Sequence, residues 1–275
     1  MKIAVTGGNG LVGRFFVAEA LAAGDQVVCL SRTPSPEVPH LPYDLNGPAP
    51  DLAGFDAVIH CAYLHEPGKY RGGEGNDPDG FRRANLDGSL ALIRAAEAAG
   101  VRRFIFLSSR AVYGQQAPGA VLTEDMHCTP ETLYGQVKLQ VEQALATSRL
   151  KSTSLRATGV YGPGPAHKWQ GLFDDFAAGR RIAPRVGTEV HGADLAAAGR
   201  VALTQDTPPI LNVSDLLLDR SDLLAMYLEA SHRKGPIPAR ARSKDYYVMD
   251  TSRLRALGWQ PGGIARLKEA LRAMV

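Results

Sequence analysis

Tyr134 and Lys138 stand four residues apart in the run Tyr134-Gly135-Gln136-Val137-Lys138. On a helix that spacing puts a phenol and an ammonium on one face. A free tyrosine titrates near ~10 and is a poor base at neutral pH, whereas a neighbouring cation favours the phenolate. Lowering the phenol by ~3 units takes ~4 kcal/mol of such stabilisation. The pair is therefore a candidate general acid/base. The spacing also arises by chance, so its setting decides. An apolar run upstream ends in Ser108-Ser109-Arg110. A hydroxyl there can hold the oxygen of a carbonyl or carbinol while the phenol moves its proton. The commoner job of a serine in such a place is to cap a turn.

A second constellation opens the chain. Thr6-Gly7-Gly8-Asn9-Gly10-Leu11-Val12-Gly13 follows the apolar run Ile3-Ala4-Val5 and leads into a stretch with helical spacing. Strand, glycine turn and helix in that order make a phosphate cradle. Gly7 takes the sharp turn, Gly10 lets a pyrophosphate approach the backbone, and Gly13 allows close packing of helix on strand. Leu11 and Val12 belong to the same cradle, where the helix N-terminus offers free N–H groups and partial positive charge. A plain turn between strand and helix needs no three glycines at these offsets. The ligand implied is a dinucleotide. Where its adenosine ribose would meet a carboxylate, the chain reads Leu30-Ser31-Arg32, and Asp25 lies at the wrong end of that strand. With nothing there to repel a 2′-phosphate, Ser31 and Arg32 favour NADP, with NAD as the alternative. A solvated surface arginine is the bland account of Arg32.

These groups need a scaffold that brings them together. Nearly continuous apolar runs at 3–5, 26–30, 57–60, 104–107 and 153–156 predict strands covered on both faces. Helices are predicted over 11–23, 89–99 and 132–147, the last with Leu133, Val137, Val141 and Leu145 as its stripe. Gly24 and Gly100 sit where helices end. The alternation predicts an α/β fold: a doubly wound parallel (Rossmann) sheet with right-handed crossovers, whose C-terminal edge binds ligands. Residues 1–162 are predicted to form the dinucleotide-binding domain, with room for later strands such as 210–213. Residues 163–275 are predicted to be mostly a small substrate-binding lobe, broken up by prolines and without a core of its own. Residues 33–50 predict a loop with at most a short strand at 41–43, and 66–80 a mobile surface loop. Residues 231–244 hold Arg233, Lys234, Arg240, Arg242 and Lys244 with no acid among them. They are a solvated basic loop or a seat for a substrate phosphate or carboxylate.

Bulk composition excludes several classes. The chain has 275 residues, 45% hydrophobic and 21% charged, enough to bury a sizeable core and too apolar for global disorder. A net charge of +3 makes no case for nucleic acid. No apolar run approaches the ~20 residues of a membrane span, and no secretory signal precedes the first strand. Cys29, Cys61 and Cys128 form neither a disulfide framework nor a zinc pattern, so a reducing cytoplasm is expected. His60, His65, His127 and His167 share no metal spacing, and no metal is expected.

The motifs resemble those of the extended short-chain dehydrogenases/reductases, in the NAD-dependent epimerase/dehydratase family. They are the Thr6 to Gly13 loop, Asp44-Leu45, Asp56-Ala57-Val58-Ile59-His60-Cys61-Ala62, Asn85-Leu86-Asp87-Gly88-Ser89, Leu107-Ser108-Ser109, Tyr134 to Lys138, Leu155-Arg156-Ala157-Thr158-Gly159-Val160-Tyr161-Gly162-Pro163-Gly164, and residues 250–261. The resemblance implies Tyr134 as general acid/base, Lys138 on the nicotinamide ribose and Ser109 on the substrate oxygen. It implies Asp44 and Leu45 beside the adenine, with Cys61, Ala62 and Val160 lining the cofactor cleft. Asn85 joins the cofactor site by supporting it through the backbone. Arg110, His65 and His167 are further candidate substrate contacts. Cys61 is expected to pack rather than attack, and Asp194 of His191-Gly192-Ala193-Asp194 to cap a helix. A homodimer through helices that include the Tyr/Lys helix is implied.

Two departures narrow the chemistry. Family dehydratases carry an Asp-Glu pair after the active-site hydroxyl, and here Arg110 and Ala111 stand there, which argues against water elimination. The C-terminal lobe is shorter than in typical sugar-nucleotide epimerases, which favours a smaller sugar, sugar acid or related hydroxy/keto compound. The expected activity is nicotinamide-dependent hydride transfer to or from such a substrate. Sugar-nucleotide 4-epimerisation and a non-catalytic nucleotide sensor are the alternatives.

Overall fold

A computed structural model describes residues 1–66, 73–164, 166–242 and 246–275. Residues 67–72 of the predicted 66–80 loop, Pro165 and Lys244 of the basic run lie outside the described residues. The strands are β1 Lys2–Thr6, β2 Gln26–Ser31, β3 His40–Pro42, β4 Ala57–His60, β5 Arg103–Ser109, β6 Val121–Leu122, β7 Ser152–Ala157, β8 Gly159–Tyr161, β9 Val186–His191, β10 Ile210–Val213, β11 Leu216–Asp219 and β12 Val248–Met249. The helices are α1 Gly13–Ala22, α2 Pro78–Arg82, α3 Gly88–Ala98, α4 Leu133–Thr147, α5 Gln170–Ala177, α6 Gly192–Thr204, α7 Arg220–Ser231, α8 Ser252–Ala256 and α9 Gly263–Arg272.

Seven strands pair in the order β10-β7-β5-β4-β1-β2-β3, every pair parallel. The apolar runs of the sequence explain the layers, because successive side chains on a strand leave opposite faces. Ile3, Val5, Ile59, Ile105 and Leu155 pack with Phe16 of α1, Leu195 of α6 and Leu254 of α8. Ala4, Val58, Phe104 and Phe106 pack on the other side with Leu92 of α3 and Val141 of α4. The sheet is thus doubly wound, with its topological switch between β1 and β4, where ligands of such sheets bind.

Three local differences from the predicted elements have physical causes. Helix α1 starts at Gly13 rather than residue 11, because Gly10 N–H closes a turn on the Gly7 carbonyl at 2.9 Å. The predicted 66–80 loop ends at Asp77, whose carboxylate accepts the Gly80 N–H at 2.8 Å and starts α2. Asp194 does not cap its own helix. The α6 cap is His191, whose Nδ1 accepts the Ala193 N–H at 3.1 Å. The Asp194 carboxylate instead accepts the Gly262 N–H at 3.1 Å, at the start of α9.

Beyond the main sheet, β11, β9 and β8 form a small sheet. Against the prediction, this part has a cluster of its own, in which Tyr161, Trp169, Phe173, Leu224, Tyr227 and Leu267 are buried. Helix α6 packs on α1, and β10 completes the main sheet beside β7. Among the described residues no helix is long and apolar enough to cross a membrane.

Candidate active site

The switch point and the strand ends beside it open on a cleft of about 1400 Å³, larger than the ~300–1,000 Å³ of a typical single-ligand pocket. Its floor at β1 is the glycine turn. Gly7 has φ +65°, and a Cβ there would lie 2.8 Å from the Ala62 backbone. A Cβ on Gly13 would collide with the Gly7 carbonyl oxygen. No side chain caps α1, and the N–H groups of Leu11 and Val12, both in the cleft wall, make no hydrogen bond to the described residues. An uncapped helix N-terminus above a backbone that tolerates no side chain fits a pyrophosphate. The residues present therefore fit a dinucleotide.

At the end where the sequence places the adenosine, the cleft meets Ser31, Arg32, Asp44 and Leu45. Ser31 Oγ donates to the Thr33 carbonyl at 2.7 Å and accepts from Asn9 Nδ2 at 3.3 Å. Asn9 also donates to the carbonyls of Thr33 and Pro34 at 2.8 and 3.1 Å. It ties the glycine turn to the loop after β2, a role with no signal in the sequence because its partners lie more than twenty residues away. Arg32 is exposed at the rim.

At the other end, α4 begins where Thr132 Oγ1 accepts the Gly135 N–H at 3.1 Å. The first turns of α4 bring Tyr134 and Lys138 to the same wall, with the Lys138 ammonium 5.9 Å from the Tyr134 ring centre. Lys138 is 3% exposed, and Nζ donates to the Leu107 carbonyl at 2.6 Å. The faces of Tyr63 and Phe106 approach it at 4.4 and 4.7 Å, where ring quadrupoles attract a cation. Burial nevertheless lowers its pKa to about 7. Ser109 lines the same wall while its Oγ accepts the Ala111 N–H at 3.1 Å, so it caps a turn and faces the cleft at once. Tyr63 was missed, although it stands just past Cys61-Ala62 at the end of β4. Its ring meets that of Tyr134 edge-on at 5.1 Å, and its buried hydroxyl has no hydrogen-bond partner among the described residues.

Behind this wall lies a buried ion pair, Arg156 to Glu142 at 2.6 Å, with both side chains 3% exposed. Ser108 Oγ also donates to Glu142. Glu142 is one turn beyond Lys138 on α4 and favours its charged form. The i, i+4 spacing was its only signal.

The remaining predicted residues divide. Gly10, Cys61, Ala62, Val160, His65, Arg110 and His167 all line the cleft. Burial pushes the Cys61 thiol up to about 12, which fits packing rather than attack. Asn85 does not line it. Its side chain accepts the Leu64 N–H at 2.7 Å and donates to the carbonyls of Leu64 and Phe81 at 2.8 and 2.9 Å. Asn85 therefore holds the loop after β4 from behind rather than touching a ligand. His60 is a core residue: Nδ1 meets Thr6 Oγ1 at 2.7 Å and Nε2 meets Ser89 Oγ at 2.9 Å, while burial lowers its pKa to about 3. In the basic run, Arg240 pairs with Asp222, Arg233, Lys234 and Arg242 are exposed and do not line the cleft, and Ala241, next to Arg242, does line it. Lys168 and Glu189 pair in the lobe's wall of the cleft, a contact between residues far apart in sequence. Among the described residues no group of three or more His, Cys, Asp or Glu side chains could hold a metal.

Comparisons with known proteins identify relatives in sequence and in fold. A sequence model of the NAD dependent epimerase/dehydratase family matches residues 3–214. A UDP-glucose 4-epimerase of Corynebacterium glutamicum is 32% identical over 180 residues, 59% of this chain and 53% of that protein. A 3-beta-hydroxysteroid dehydrogenase of Mycolicibacterium neoaurum is 28% identical over 195 residues, 65% of this chain and 52% of that one. The chain spans about half the length of these curated relatives. Among solved structures, MoeE5 in complex with UDP-glucose and NAD superposes with a TM-score of 0.82 at 25% identity, covering 100% of this chain and 97% of that one. The UDP-glucose 4-epimerase of Thermus thermophilus in complex with NAD gives 0.78 at 26% identity, with the same coverage.

Proposed function

The chain belongs to the NAD-dependent epimerase/dehydratase family, and we propose that it is a nicotinamide-dependent oxidoreductase acting on a carbinol or ketone of a sugar, sugar acid or related compound. A bound nicotinamide supplies the hydride acceptor or donor. Tyr134 takes the proton from the substrate hydroxyl, or returns it to the carbonyl oxygen. Ser109 donates to the same oxygen and fixes it beside the phenol. Lys138, one turn away, makes the phenol acidic enough for that exchange in its protonated form. The surrounding rings of Tyr63 and Phe106 keep water from the ammonium and hold it in place. Gly7, Gly10, Leu11, Val12 and Gly13 would seat the pyrophosphate, and Arg32 would pair with a 2′-phosphate, so the favoured cofactor is NADP. Arg110 and Ala111 offer neither the acid nor the base of a dehydratase.

One observation carries this function: the Tyr134/Lys138 pair and an uncapped glycine-built helix N-terminus share one cleft. Titration of the protein with NADH and NADPH, followed by a screen of sugars and sugar nucleotides, tests it. Tyr134→Phe is expected to lower turnover by at least about 100-fold while leaving cofactor affinity within a few-fold. Full activity in that variant defeats the mechanism. The similarity to the UDP-glucose 4-epimerases of Corynebacterium glutamicum and Thermus thermophilus favours a second outcome, redox-neutral 4-epimerisation. It would show as interconversion of epimers with no net change in nicotinamide absorbance.

A further inference from the structure

Arg14 carries a charge that this function does not use. It follows the last glycine of the cradle, stands in the first turn of α1 and lines the cleft half-buried. No carboxylate among the described residues pairs with it. Among the described residues its Nη1 and Nη2 reach only the carbonyls of Ala166 and Gly162, each at a long 3.4 Å, and its buried Nε has no partner. The Phe15 ring lies 4.7 Å from the guanidinium. Desolvation disfavours the charge here, and the structure answers it with nothing anionic.

His167 stands in the same wall. It is 9% exposed, and among the described residues its ring nitrogens have no well-formed hydrogen bond, the Gln170 side chain being the polar group that approaches them. The loop that holds it is fixed by the Gln170 N–H donating to the His167 carbonyl at 3.1 Å and by the Phe173 ring at 5.7 Å. Burial, helped by the Arg14 charge, lowers the pKa of the imidazole, which offers at least one N–H donor in either protonation state. A half-buried cation without an anion, a buried imidazole without a well-formed hydrogen bond and an uncapped helix N-terminus line one cleft.

We propose that Arg14 and His167 clamp the pyrophosphate of the dinucleotide against the N-terminus of α1 and so slow its departure. The clamp rests on the cofactor assignment made above. It also means that ligand-free protein bears an uncompensated charge that the cofactor relieves.

Isothermal titration with NADPH and with ADP-ribose, which has the pyrophosphate but no nicotinamide, separates the possibilities. Arg14→Gln should weaken both ligands by about 10- to 100-fold, and Arg14→Lys should restore part of the loss. His167→Ala should raise the NADPH dissociation rate, followed by nicotinamide fluorescence, by about 10-fold. The ligand-free Arg14→Gln protein should unfold at a temperature no lower than the original, which shows that the affinity loss is not misfolding. If the original protein binds NADPH and ADP-ribose while Arg14→Gln binds both equally well, the clamp is wrong and the pair faces another anion. If the original protein binds neither ligand, the cofactor assignment itself fails.

Discussion

Lys138 shows how a single site can work against its own burial. The ammonium is held by one carbonyl and two ring faces, yet loss of water brings its pKa from 10.5 down to about 7. The sign of the consequence follows from proton counting. Between those values the unfolded chain binds the proton more readily than the folded one, so stability rises with pH across that window. Below about pH 7 the full cost of the buried charge is present, and above about 10.5 it is gone. The slope in between approaches about 1.4 kcal/mol per pH unit for one group. Urea unfolding of the ligand-free protein at several alkaline pH values, compared with Lys138→Met, is expected to show this slope in the difference between the two. Parallel curves would mean that the lysine is not desolvated. Titrations of groups that do not feel the Lys138 charge are common to both proteins and cancel, whereas that of Cys61, whose thiolate the Lys138 charge favours, shifts in the variant and adds to the difference.

At the level of elements, the catalytic strand and helix are joined by a device that neither sequence motif reveals alone. Glu142 on α4 pairs with Arg156 on β7, and Ser108 at the end of β5 adds a hydrogen bond. Removing one charge strands the other in the interior, so Arg156→Met is expected to cost about 3–5 kcal/mol in urea unfolding. Replacing both, as Glu142→Gln with Arg156→Met, should recover much of that loss. An equal or greater loss in the double variant would show that packing, not charge, dominates. Both residues lie inside or beside motifs visible in the sequence, yet their pairing is not visible, because it depends on how α4 crosses β7. Strands β1, β2, β4, β5 and β7 were legible because burial on both faces leaves long apolar runs. Helix α4 was legible from its stripe and Thr132. The core of the lobe was not. Its strands β8, β9 and β11 have three to six residues each and their partners come from distant parts of the chain. Tyr63 and Asn9 were missed for a related reason: their neighbours in space are not neighbours in sequence.

Across the whole molecule, the lobe is fastened to the sheet at several points. Strand β8 follows β7 after Thr158 alone, and its Tyr161 enters the lobe's core, where Trp169 stacks on it at 4.9 Å. Asp215, just past β10, accepts the Gly263 N–H at 2.9 Å, while Asp194 on α6 accepts that of Gly262. Both carboxylates thereby pin α9, a lobe helix, to the part of the chain that completes the main sheet. The two tryptophans report from opposite sides of this seam: Trp169 from the lobe, and Trp259 from the main core, where its Nε1 donates to the Asp194 carbonyl at 2.8 Å. Such stitching makes one cooperative unit. In Trp169→Phe and Trp259→Phe, the fluorescence of the remaining tryptophan and the far-ultraviolet circular dichroism should therefore share one urea midpoint within each variant. Cofactor at about 100 times its dissociation constant should add ~2.7 kcal/mol to both, because the cleft is walled by lobe and sheet alike. An earlier transition seen only through Trp169 would show that the lobe melts alone. The cleft would then lose its substrate wall while the glycine cradle survived, and dinucleotide binding without turnover would follow.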